Sequence, residues 1–172
     1  MVPQTAPNPL NYFLGRGNVY TSAVDTTSWL HIGNCPKFSV KATTEVIKHN
    51  FVTADGVAVP DAIEVKTKSL AVSIDADEMV AETLMLALGA TDIGSAVYRV
   101  DTPLVFRAVM LAGTNTQGAP VQLFLPKVLF GLDTEAGFIS QDLLSLPLTG
   151  EAMYWPRTPG GTDYTFCDAH FI

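Results

Sequence analysis

The sequence predicts a mainly β chain with a single helix, on three observations. Residues 37–50, KFSVKATTEVIKHN, alternate apolar and polar side chains with the period of two that a sheet with one wet face requires. Ile63 to Ala90 passes from a Val-, Ile-, Thr- and Ser-rich strand pattern into the chain's one helical periodicity. Elsewhere Pro, Gly and Asn punctuate short strand-like runs.

In order, residues 1–17 hold three prolines around Leu10, Tyr12, Phe13 and Leu14, and read as an extended arm whose aromatics need a surface. Asn18–Val24 and Trp29–Gly33 read as short strands separated by a DTTS turn. In 37–50, Phe38, Val40, Ala42 and Val46 form the apolar face, with Lys37, Ser39, Lys41, Thr43 and Glu45 opposite. A loop over about 50–61 closes a hairpin and carries Phe51, Val52, Val57 and Val59, which suits contact better than solvent.

The returning strand changes parity. Ile63 and Val65 are apolar at odd positions, Glu64, Lys66 and Lys68 polar at even ones, but Leu70, Val72 and Ile74 are apolar at even positions. The buried face should therefore swap near Thr67–Ser69, through a bulge or a change of surroundings. The helix is expected over about 76–88, with Asp75 and Glu78 at capping-box spacing, Val80, Thr83, Leu84, Ala87 and Leu88 on one face, and Gly89 as the stop.

Residues 91–103 read as irregular. Leu104–Leu111 is apolar on both faces except at Arg107, as in a central strand. Pro126 within 121–130 and Pro147 within 142–154 point to an edge or a bulge. The tail, about 156–172, ends in aromatics that could dock as a last short strand.

The 172 residues fit one domain, 1–172, and 48% hydrophobic against 16% charged residues excludes a disordered chain. The N-terminus lacks a basic or apolar leader and the longest apolar run, Leu84–Leu88, cannot cross a bilayer, so the reading is a soluble protein made in the cytosol with no membrane contact. Net charge is −7; before Ser69 there are six basic and five acidic residues, and from Ser69 four basic and twelve acidic. That balance excludes a surface that grips DNA through clustered cations.

Catalytic constellations are absent: no GxSxG, HExxH or Walker loop occurs. Gly15-Arg16-Gly17 reads as a turn, and His31, His49 and His170 have no partner at informative spacing. Of the carboxylates Asp75, Asp77, Glu78 and Glu82, the first three are explained by helix capping and the helix dipole without any chemistry. Cys35 and Cys167 read as free thiols, and Trp29 and Trp155 as core edges. No catalytic, cofactor-binding or metal residue is expected.

LGRGNVY (Leu14–Tyr20), IGN (Ile32–Asn34), FSVKATTE and SLAVSIDADEMVAETLMLALGA (Ser69–Ala90), in that order, resemble the major tail tube proteins of long-tailed, non-contractile bacteriophages of the siphovirus type. The resemblance covers about the first 90 residues. It implies an antiparallel β-sandwich or barrel of the tail tube type with one flanking helix. By the resemblance six copies would close into each ring, and rings would stack into a tail tube, a structural virion component assembled in the bacterial host cytoplasm and serving DNA ejection. Partners would be the chain itself and other tail proteins such as terminator and tape measure proteins, with DNA passing through without specific binding.

Under this reading Leu10, Tyr12, Phe13, Leu14, Phe51, Val52, Val57 and Val59 are candidate assembly contacts. Lys37, Ser39, Lys41, Thr43, Glu45, Glu64, Lys66 and Lys68 are candidates for the face lining the lumen. The inner tube of a contractile tail or secretion apparatus is the related alternative, and a β-sandwich ligand-binding module using Trp29 or Trp155 the unrelated one.

Overall fold

The computed structural model describes residues 15–95, 97–100, 105–115, 119–132, 145–156 and 164–171. Within them the chain is mainly β and antiparallel, with one short helix. Strands β1 (Arg16–Ala23), β2 (Leu30–His31), β3 (Lys37–Val52) and β4 (Ala58–Ala76) precede helix α1 (Ala81–Leu88). After it come β5 (Thr91–Asp92), β6 (Tyr98–Arg99), β7 (Val105–Thr114), β8 (Val121–Leu132), β9 (Leu146–Ala152), β10 (Trp155–Pro156), β11 (Tyr164–Thr165) and β12 (Asp168–Phe171).

The main sheet runs β2-β1-β7-β8-β9-β4-β3, with β12 added on β8; β5–β6 and β10–β11 are separate two-stranded pairs. The expected sandwich or barrel therefore resolves to one open sheet. It curls so far that Val19 near one end of the path and Phe38 on the last strand line a common cavity. Helix α1 packs into this curl against β8 and β9. Val19, Val72, Ile74, Val109, Leu125, Val128 and Leu148 are each at most 1% exposed there, together with Leu86 from the helix. Burying each such side chain stabilises by roughly 1.5–3 kcal/mol against leaving it exposed.

The three strands with odd prolines or glycines show why those residues are tolerated. β8 is central, and of the edge or bulge expected at Pro126 it shows the bulge: Arg107 pairs with Val128 and Val109 with Leu125, so Ala108 faces both Pro126 and Lys127. The other edge of β8 changes partner at the same place, from β12 at Val121–Phe124 to β9 at Val128–Leu132. Pro126 thus sits where no ladder bond is required of it. Pro147 likewise lies beyond the last β8 pair and faces only β4. Gly17, expected in a turn, lies inside β1, where a Cβ would meet the Ala112 carbonyl oxygen at 2.5 Å.

The helix begins later than its acidic lead-in suggested. Val80 is the N-cap and its N–H donates to Thr83 Oγ1 at 2.9 Å. Gly89, at φ 63°, ends it as expected, with the Ala90 N–H donating to the Met85 carbonyl. Leu86 and Thr83 carry the deepest burial, and Leu84 is half-buried. Asp75 stays in β4, and Asp77 and Glu78 are used elsewhere: Asn34 donates from Nδ2 to Asp77 Oδ1 at 2.6 Å and from its backbone to Glu78 Oε2 at 2.9 Å.

Candidate functional site

β9 supports β4 only from Leu70 to Ala76, whereas β3 and β4 stay paired from Lys37–Asp75 out to Val52–Ala58. Beyond Thr43–Ser69 no further strand among the described residues pairs with either, leaving a ribbon about 30 Å long at the rise of a strand. The tip is tight. The Thr53 N–H donates to the Val57 carbonyl at 2.9 Å, the Gly56 N–H returns to the Thr53 carbonyl at 2.9 Å, and Gly56 takes φ 80°. The loop expected over about 50–61 is thus mostly strand, and only 53–57 turn.

The parity change in β4 has a specific cause and the opposite effect from the one expected. Glu45 pairs with Thr67 and Val46 with Val65, so Lys66 is an extra residue in β4. This bulge keeps Val65 and Ile63 on the face of Leu70, Val72 and Ile74; without it they would point the other way. The buried face does not swap. A second extra residue, Asp61, follows between the His49–Ala62 and Asn50–Pro60 pairs.

One face of the ribbon consequently carries an apolar run, interrupted by Thr44, Lys48, Asn50 and Lys68. It continues the core outward through Val46, Val65, Ile63 and Val52, which are 39%, 54%, 61% and 67% exposed. The other face carries Lys37, Ser39, Lys41, Thr43, Glu45, Glu64 and Lys66, all exposed, and towards the tip the exposed Ile47 and Phe51. Lys68 does not join them: it pairs with Thr44, on the apolar side. On the polar face Lys66 Nζ lies 2.9 Å from Glu45 Oε1, Thr67 Oγ1 donates to Glu45 Oε2 at 3.1 Å, His49 Nδ1 meets Asp61 Oδ1 at 2.5 Å and Lys37 Nζ meets Asp75 Oδ2 at 3.4 Å. Such exposed pairs are each worth well under about 1 kcal/mol, so they fix register more than they stabilise.

Of the candidate contacts, Phe51, Val52 and Val57 are exposed at the tip and Val59 is half-buried. Leu10, Tyr12, Phe13 and Leu14 lie outside the described residues. Sequence reasoning missed Val46, Ile63 and Val65 as surface residues because alternation reports a shared face, not whether anything covers it. It also missed the small β5–β6 hairpin, whose Ile93 and Val97 are exposed.

The remaining candidates for chemistry are tied into the fold. Trp29 packs edge-on against Phe124, and Trp155 donates from Nε1 to Asp25 while its ring receives Lys127 Nζ at 3.8 Å. Cys35 is a free thiol pushed up to about 11 by burial and by the carboxylates Asp77 and Glu78. Among the described residues no three His, Cys, Asp or Glu are placed to hold a metal ion. Nor is any helix among them long and apolar enough to cross a membrane.

A family model described as "Protein of unknown function UCP028589" matches residues 12–102, just over half of the chain. No curated protein matches the chain.

Proposed function

The chain belongs to the family matched over residues 12–102, and from its geometry we propose that it is a self-assembling structural subunit, a tail tube protein of the siphovirus type. Copies join into rings, and stacked rings form the conduit through which phage DNA leaves the virion. The observation that carries this reading is the free ribbon of β3 and β4. An isolated two-stranded ribbon is marginal in water, and this one exposes Val46, Ile47, Phe51, Val52, Ile63 and Val65, large apolar side chains of the kind that mark a protein contact.

Its edges support the same reading. β3 is the last strand of the path, so among the described residues its outer edge is unpaired, and so is the edge of β4 facing away from β3 between Ala58 and Ser69. Two free edges of similar length on one ribbon suit head-to-tail addition of copies, which closes into a ring when the rotation permits and removes the exposed edges. The mixed charges of the opposite face, with Lys37 and Lys66 held by Asp75 and Glu45, suit a wall that DNA passes without sticking.

The engaged Trp29 and Trp155 rings argue against the ligand-binding module. Electron microscopy of the purified chain across a concentration series tests the proposal. Rings or tubes are expected; a monomer at every concentration overturns it.

A further inference from the structure

Where the ribbon leaves the sheet, its apolar side borders an open hollow of about 340 Å³. Thr44, Lys68 and Leu70 line it from the ribbon, and Tyr154, Phe166 and Cys167 complete it. Leu70, Phe166 and Cys167 also pack against the core, so the hollow is an outward continuation of the hydrophobic interior. An apolar cavity of about 150 Å³ already accommodates a benzene ring, so two branched aliphatic side chains fit here. Lys68 brings a charge to this wall, exposed and without an acidic partner among the described residues.

We propose that this hollow receives the ribbon tip, residues 51–57, of a second copy of the chain. The inference rests on the self-assembly reading above and names a receiving site for it. The tip matches the hollow in both apolar surface and charge. Val52 and Val57 are exposed, and Asp55 between them is the only charged residue from Phe51 to Pro60, with no basic partner among the described residues. The two valines seat against Leu70 and Phe166, and pairing of Asp55 with Lys68 sets the register, which is what complementary charges contribute to an interface. The chain's own tip cannot be the occupant. β3 and β4 stay paired from Thr44–Lys68 to Val52–Ala58, and the rise of a strand puts roughly 25 Å between hollow and tip. The contact therefore runs from the tip of one copy to the ribbon base of another, a heterologous contact that repeats from copy to copy.

Disulfide trapping tests this directly, because Cys167 is a free thiol lining the hollow and Cys35 a free thiol elsewhere. Ala54→Cys is made in the full chain, mixed with isotopically labelled wild-type chain, assembled, oxidised with copper phenanthroline and mapped by mass spectrometry without reduction. The expected disulfide joins the unlabelled tip peptide to the labelled peptide containing Cys167. An assembled sample in which the tip joins Cys35 or another tip, or in which another segment covers the hollow and no such disulfide forms, overturns the inference. A charge exchange gives a second reading. Asp55→Lys and Lys68→Asp should each raise the concentration needed for assembly several-fold, and the two together should restore it; a double variant no better than the worse single one overturns the receiving site. Sedimentation separates the two ideas: assembly with misplaced disulfides sinks only the receiving site, whereas wild-type chain that stays monomeric sinks the self-assembly reading with it.

Discussion

Lys66 is one of two residues in β4 without a partner of their own across the β3 ladder, and its Nζ closes on Glu45 Oε1 at 2.9 Å. The pair marks the place where one extra residue holds the ribbon's apolar stripe in line with the core.

Deleting Lys66 should therefore separate folding from assembly. Ile63 and Val65 would rotate to the polar face while Leu70–Ala76, anchored on β9, stays put. The expected outcome is a melting temperature within a few degrees of wild type and loss of rings or tubes by electron microscopy. Unimpaired assembly would show that the stripe is not a contact.

Leu86 is the helix residue on which core packing depends, being 1% exposed. Leu86→Ala should cost about 2–5 kcal/mol in urea unfolding, and Leu84→Ala distinctly less because that side chain is only half-buried. Equal losses would mean that the helix is rotated from the orientation described.

Gly17→Ala tests the close approach of β1 to β7. A methyl group 2.5 Å from the Ala112 carbonyl oxygen must push backbone away, and an overpacking cost of about 1–3 kcal/mol follows. Thermal unfolding of the variant measures it.

Cys35 gives a prediction with a pH sign. Its thiol is raised from 9.0 to about 11 in the fold by burial first and the Asp77 and Glu78 carboxylates second. The fold thus prefers the neutral thiol, a contribution fully present below pH 9 and lost as pH rises towards 11. Removing the thiol by Cys35→Ala should flatten that part of the stability curve between pH 9 and 11, read by denaturant midpoints. At pH 8, alkylation of Cys35 should be much slower in native than in urea-unfolded protein.

The element types were legible wherever side-chain periodicity acts locally. The alternation in 37–50 became β3, Gly89 ended the helix, and the aromatic tail supplied β12. The long-range relations were not legible. Pro126 pointed to an edge or a bulge, and that it is a bulge is defined only by where β7 lies opposite. Asp77 and Glu78 looked like a helix cap because their partner, Asn34, is more than forty residues away. For the candidate site, the sequence revealed the amphipathic ribbon and its contact-prone tip, but attributed burial to apolar residues that are exposed, such as Val46, Ile63 and Val65.

The separation of paired residues along the chain also sets an order of events. β3 and β4 close on each other through a turn of five residues, 53–57, whereas β1 waits for β7, Val19 pairing with Leu111, and β4 waits for β9, Leu70 pairing with Ala152. Local hairpins form before distant pairings during synthesis. The ribbon is therefore complete, with both edges open, while the sheet that will anchor it is still being translated. Neighbouring nascent chains meet at their stickiest element first, and the yield of correctly folded subunit should fall as expression rate rises.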